Sequence, residues 1–290
     1  MTGVLYALGA MFAWGFGDFS AQKAARRIGI WETLFLIALT GSIGFFPFAR
    51  THIAVGLAET RDVFMLFIAA FIMLSGLLLN LHALSRGKLS VVEPIIALEL
   101  PFVALLGFLF FDEHLSTLPF IVMFVILAGI MLTITKSVPA LKYHKRMFEK
   151  GAILAFFGAI GLACINLSIG IASRETSPIF AIWFLQTIIT VICFIYLLGS
   201  GGLFNILKSL HRHWIATSFV CVLGNLAWIF YANAVLYLPI PVVTMITECY
   251  VVIASVLGIL VNGERLMIHQ IVGAGISISA VIFLTSVIGG

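Results

Sequence analysis

The amino-acid sequence predicts an all-α membrane protein whose ten transmembrane helices form two inverted five-helix repeats, and three observations lead there. The first is composition: of 290 residues, 62% are hydrophobic and 10% charged, too little polar surface for a water-soluble globule. The second is segmentation, because the apolar residues gather into runs of about the 20 residues that a helix needs to cross a bilayer. The third is duplication. VVEPIIALELPFVALLGFLFFDEHL, from Val91, returns 151 residues later as VVTMITECYVVIASVLGILVNGERL, from Val242, with Gly107 over Gly258, Glu113 over Glu264 and Leu115 over Leu266. The register extends backwards, with Ala83, Leu89 and Val92 over Ala234, Ile240 and Val243, and forwards, with Leu127 to Met131 over Ile278 to Ile282.

The runs fall at 3–21, 31–49, 63–84, 90–111 and 118–135, then at 151–172, 179–198, 215–236, 240–261 and 267–288. None contains Lys or Arg, as expected where a cation at mid-bilayer costs about 2.5–3.5 kcal/mol. A β-barrel would instead show alternating segments of about 10 residues. The first run does not read as a cleaved signal peptide, since no basic residue precedes it and Trp14, Gly15 and Asp18 interrupt its apolar core. In the fourth run Pro101 removes a backbone donor and leaves the carbonyl of Ala97 without its usual partner, which predicts a kink or hinge. The ninth run has Val252 at that place, so the hinge is expected in one half only. Gly107, Gly258, Gly273 and Gly275 permit close helix packing or a homodimer. Cys164, Cys193, Cys221 and Cys249 all lie in runs without C-x-x-C spacing and read as small packing residues.

Residues 3–135 thus form one repeat, 136–150 a charged linker and 151–288 the second repeat. Five spans per half make the second half enter the membrane in the opposite sense, which places a pseudo-two-fold axis in the membrane plane and a substrate site near its middle. Orientation follows from loop charges. The odd-numbered loops hold Lys23, Arg26, Arg27, Arg86, Lys88, Lys136, Lys142, Lys145, Arg146, Lys150, Lys208, Arg212 and Arg265, the even-numbered ones only Arg50, Arg61 and Arg174, so both termini are expected outside. The net charge of +4 is a topology signal of this kind and does not call for nucleic acid.

Chemistry inside the spans rests on Asp18, Glu93, Glu99 and Glu248. A carboxylate at bilayer depth faces a cavity or a partner, and because desolvation disfavours its charged form it can carry a proton. A neutral acid bonded to a nearby backbone carbonyl is the structural alternative. Under the 151-residue shift Glu93 lies over Thr244 and Glu248 over Ala97, so each half supplies one acid on equivalent faces of the fourth and ninth helices. Glu99 sits about 120° around the helix from Glu93, at about 100° per residue, and is expected in another environment.

Trp14, Asp18 and Gln22 form one helical stripe, Asn225, Trp228 and Ala232, flanked by Tyr231, a second, and Trp183 with Gln186 a third. Beside an acid, such rings can hold an ammonium group; alternatively they pack between helices or form an interfacial belt. Asn166, in the sixth run, is a further candidate substrate ligand. His211 and His213 make an H-x-H in a loop but lack a third ligand, so no metal is expected, and no G-x-x-x-x-G-K-[ST] loop is present to hold ATP. No cofactor is expected.

The ten runs, the five-plus-five duplication, the W-G-x-G-D at Trp14 to Asp18, and the Glu93-Pro94 helix followed by Gly107, Glu113 and Leu115 resemble EamA-type members of the drug/metabolite transporter superfamily. The resemblance implies export or exchange of small metabolites, often amino acids or drug-like compounds, driven by protons or by exchange, with both termini cytoplasmic. A cavity with acids and no base favours a cationic, zwitterionic or amine-bearing solute over a phosphorylated one. Expected partners are therefore a small organic solute, protons and the lipid of the cell membrane. A membrane enzyme or non-transporting subunit acting on lipid or isoprenoid is the rival, but it would need paired Asp or His at the surface, where the loops offer only Asp62, Asp112 and His114.

Overall fold

The computed structural model describes residues 1–86, 95–111, 116–134, 150–261 and 267–289. Its helices are α1 (Thr2–Arg27), α2 (Ile30–Ala49), α3 (Ile53–Gly56), α4 (Thr60–Arg86), α5 (Glu99–Phe111), α6 (Thr117–Ile134), α7 (Lys150–Glu175), α8 (Pro178–Ser200), α9 (Gly202–Ala234), α10 (Ile240–Thr247), α11 (Tyr250–Val261) and α12 (Ile268–Gly289). No strand occurs among the described residues, as befits a chain in lipid, where a helix satisfies its own backbone. Among the described residues six helices are long and apolar enough to cross a membrane, within α2, α4, α7, α8, α9 and α12, and shorter apolar helices cover Thr2–Gly17, Glu99–Phe110, Thr117–Thr133 and Ile240–Ile253. Large apolar side chains such as Phe12, Phe71, Phe108, Phe194 and Ile282 point outwards, the reverse of a protein built for water. The chain is an integral membrane protein.

Local chemistry sets the joints. Ser177 caps α8, its hydroxyl accepting the Phe180 amide at 3.2 Å, with Pro178 in the first turn, where no donor is missed. Gly201, at φ 72°, ends α8 in the left-handed region and turns the chain straight into α9. That turn starts α9 at Gly202 rather than near 215, so the His211–His213 stretch expected as loop is helical.

Packing follows the duplication. The 151-residue shift carries α1 onto α7, α4 onto α9, α2 onto α8 and α6 onto α12. The two most extensive helix pairs, α1 with α9 and α4 with α7, are images of each other, while the α2–α8 and α6–α12 pairs map onto themselves. Across the last pair the Ser277 hydroxyl donates to the Ile126 carbonyl at 3.3 Å, joining two residues one repeat length apart, |i−j| = 151. Small residues let these helices meet. A Cβ on Gly161 would lie 2.9 Å from Gly76 Cα, and the equivalent crossing of α1 and α9 has Ala10 and Ala227, both fully buried. A Cβ on Gly273 would lie 2.6 Å from the Gly129 carbonyl, which assigns Gly273 to packing, whereas Gly275 faces open space.

The fourth and ninth runs are both broken. A turn at Ala97 and Leu98 precedes α5, and a turn at Glu248 and Cys249 separates α10 from α11. The expected asymmetry is absent, because the ninth helix reaches the same break without proline. Leu100 donates to Ala97 O at 3.3 Å and Val251, its equivalent, to Glu248 O at 3.1 Å, each three residues back instead of four. Pro101 has no amide to give, and the amide of Val252 goes to Cys249 O at 3.1 Å, so neither copy makes the four-residue bond at this step.

Candidate functional site

The broken helices frame a cavity of about 90 Å³ walled by α1, α2, α4, α5, α7, α9 and α11, with Glu248 at the break between α10 and α11. Its polar groups are Glu99, Glu248, Asn80 and Asn166, and its aromatic ones Trp14, Trp228 and Tyr250. Both carboxylates are 3% exposed, and no Lys, Arg or His lines the cavity among the described residues. Such a chamber is neutral or negative and attracts positive charge or protons.

Glu99 begins α5, just past the turn, and accepts a hydrogen bond from the Asn166 side-chain amide on α7. Behind the wall, the hydroxyl of fully buried Tyr231 donates to the Asn166 carbonyl and contacts the Thr244 hydroxyl, both at 3.3 Å. Thr244 in turn donates to Ile240 O at 3.0 Å. A continuous path, Glu99–Asn166–Tyr231–Thr244, thus ties α5 of the first repeat to α10 of the second.

The aromatic side chains form a tilted box. Trp14 meets Trp228 edge-on at 4.9 Å and 83°, and lies 5.9 Å from Tyr231 and 6.2 Å from Tyr250. Trp228 and Tyr231 meet at 6.1 Å and 79°. Ring edges and faces hold one another in place by edge-to-face packing.

Five of the candidates drawn from the sequence, Glu248, Glu99, Trp14, Trp228 and Asn166, therefore line one chamber, with Tyr231 directly behind it. Pro101 lies half-buried in the first turn of α5. Two candidates lie elsewhere. Gln186 donates to Asn225 at 3.1 Å, and Asn225 donates to the carbonyls of Ile37 at 2.9 Å and Cys221 at 2.7 Å, a knot that fastens α2, α8 and α9. Trp183 packs against Phe46 and Phe180 at 6.1 and 5.9 Å. Glu93 and the side chains of Asp18 and Gln22 lie outside the described residues.

Sequence reasoning missed Asn80 and Tyr250. Both were within reach of the repeat: Asn80 lies over Tyr231 and Tyr250 over Glu99, so transferring each candidate by 151 residues would have found them. Asn80 Oδ1 is buried without a hydrogen-bond partner among the described residues, which leaves an acceptor at the cavity for a solute donor.

The two ends of the bundle differ. At the α1 N-terminus, Tyr6 stacks on Tyr237 at 6.3 Å, and a Cβ on Gly3 would lie 2.7 Å from Tyr237 Cβ. There Arg174 donates to Val235 O at 2.9 Å and Leu238 O at 3.2 Å. At the other end Arg26 donates to Leu84 O at 3.2 Å, Leu84 being the residue over Val235, and Leu84 and Ala21 belong to the cavity wall. The cavity reaches towards the Arg26 end.

A model of the EamA-like transporter family matches residues 1–135 and 149–286. A search among curated proteins gives no match. One solved crystal structure superposes over 100% of this chain and 99% of its own with a TM-score of 0.71, at 13% sequence identity, a likeness of fold alone.

Proposed function

The chain belongs to the EamA-like transporter family, a family of membrane transporters of small solutes, and from that premise we propose that it is a secondary active exporter or exchanger of a small amine-bearing organic solute. In this reading ten spans cross the cell membrane as two inverted repeats, and the central cavity opens alternately to the two sides. The observation that carries it is the chamber itself: two buried carboxylates, an aromatic box and, among the described residues, no base, set where the broken helices of both repeats converge. Glu248 exchanges a proton for the solute's positive charge, while the box and Asn80 hold its organic part. A cavity that reaches towards one end of the bundle supports reading the structure as one endpoint of such a cycle.

The test is reconstitution. A thermal-shift screen of amines, amino acids and nucleosides identifies a solute, because a ligand that binds only the folded state raises its stability. Proteoliposomes loaded with that solute are then driven by a proton gradient. Glu248→Gln is expected to reduce gradient-driven flux to that of empty vesicles while the far-UV circular dichroism stays unchanged. Undiminished coupled flux would remove Glu248 from the mechanism.

A further inference from the structure

A second cavity, about 180 Å³, lies between the start of α4 and the end of α7, away from the solute chamber. Both helices are long and apolar enough to span a membrane, so residues at their ends stand at headgroup depth and those a turn inside stand among acyl chains. The rim carries Arg61, Asp62 and Glu175, and the walls are apolar, with Met65 and Ile68 opening to the surface at 38% and 44% exposure above buried Ala172. None of the three rim charges is ion-paired with another described residue. This groove also lies on the seam between the repeats, since α4 belongs to the first and α7 to the second. At the image of this seam the residues over Arg61, Asp62 and Glu175 are Arg212, His213 and Ala24. Acids on the rim therefore belong to one seam and are not a by-product of the duplication.

A cation and two anions around an apolar slot, at the depth of lipid headgroups, match a ligand with one phosphate, one ammonium and a hydrocarbon tail. We propose that the groove holds one zwitterionic phospholipid with a primary-amine headgroup, of the phosphatidylethanolamine type. Arg61 takes the phosphate through its planar fork of donors. Asp62 and Glu175 accept hydrogen bonds from the ammonium group, and an acyl chain lies along Met65 and Ile68. The lipid then sits on the α4–α7 seam, where Gly76 and Gly161 bring the repeats into contact, and its occupancy bears on how the two repeats move against each other.

Binding alone reads the proposal, so it stands or falls separately from transport. The purified full-length chain, stripped of lipid, is titrated in native mass spectrometry with phosphatidylethanolamine, phosphatidylcholine and phosphatidylglycerol of identical acyl chains. One phosphatidylethanolamine is expected to bind about fivefold tighter than either rival, the weight of one exposed ion pair. Phosphatidylcholine has no ammonium hydrogens to donate, and phosphatidylglycerol has no cation. Asp62→Asn with Glu175→Gln should erase that preference, Arg61→Gln should weaken all three lipids, and Glu59→Gln, an exposed acid outside the groove, should change none. All of these positions lie at helix ends near the surface, and thermal unfolding of each variant checks that it folds. Equal binding of the three lipids, a preference for phosphatidylglycerol, or a preference untouched by the rim substitutions overturns the proposal.

Discussion

The turn at Ala97 and Leu98 and the turn at Glu248 and Cys249 occupy the same register of the two repeats and are closed by equivalent bonds, Leu100 to Ala97 and Val251 to Glu248. Their chemistry is not equivalent. In the first copy the acid follows the turn, at Glu99, and is held by the Asn166 amide. In the second the acid is the turn itself, at Glu248, and Tyr250 occupies the place of Glu99. The duplication thus kept the backbone device and placed the acid differently in each copy, and we propose that the side-chain work is divided accordingly. An anchored acid suits positioning. An acid at the junction of two half-helices suits a group whose surroundings change when those halves move, which is the requirement for a coupling residue.

The comparison makes its largest prediction at the acids. Glu248→Gln is expected to abolish coupled flux, whereas Glu99→Gln keeps an acceptor for Asn166 and should retain most of it. Glu99→Ala removes that acceptor and leaves a buried amide unsatisfied, at a cost of about 1–3 kcal/mol in stability. Denaturant unfolding in detergent measures the cost, and proteoliposome flux the activity. If Glu99→Gln stops flux as fully as Glu248→Gln, the two acids share the coupling and the division of labour is gone.

A smaller effect is expected where the two copies are tied together. Tyr231→Phe deletes the hydroxyl that bridges Asn166 and Thr244 but keeps the ring of the aromatic box. The loss should be about 1 kcal/mol in stability and appear in flux chiefly as a slower cycle, with little change in the affinity for the solute. A weakened affinity with an unchanged maximal rate would place Tyr231 among the solute ligands and deny it the role of a tie between α5 and α10.

How much of this was legible in the sequence depends on what each feature rests on. The long apolar helices rest on runs of apolar residues and, among the described residues, α2, α4, α7, α8 and α12 lie where those runs were read, whereas at α9 Gly201 turns the chain directly into a helix that runs ahead of its apolar part. Family membership was readable because the repeat, Trp14 to Asp18, Gly107 and Glu113 are local strings. The meeting of Glu99 with Asn166 was not, since it depends on which helix α5 packs against. The break in the ninth helix was hidden too, because Val252 carries no proline-like signal and its cause lies in which carbonyl takes its amide. Gln186 and Trp183 followed helical spacing as well as Trp14 does, yet spacing does not say which neighbour a face meets. Tyr231 and Asn166 likewise needed the third dimension to become one path.

Pro101 gives the smallest and most discriminating test. If proline makes the break, Pro101→Ala supplies an amide that reaches Ala97 O, restores the four-residue bond and straightens the fourth helix. The ninth helix argues otherwise, since its Val252 amide bonds Cys249 and the turn persists without any proline. By that precedent the amide gained in Pro101→Ala would bond the Leu98 carbonyl, which already accepts Phe102 at 3.3 Å and has a second lone pair. The turn is then retained, flux falls by less than about twofold, and stability moves by less than about 1 kcal/mol, since the break carries its own bonding in the fold. Spin labels on lipid-facing positions of α5 and α4 report the geometry: an unchanged distance supports a break imposed by packing on both copies. A lengthened distance with flux as low as that of Glu99→Ala would mean that the first break depends on proline, and that the two repeats reach one shape by different causes.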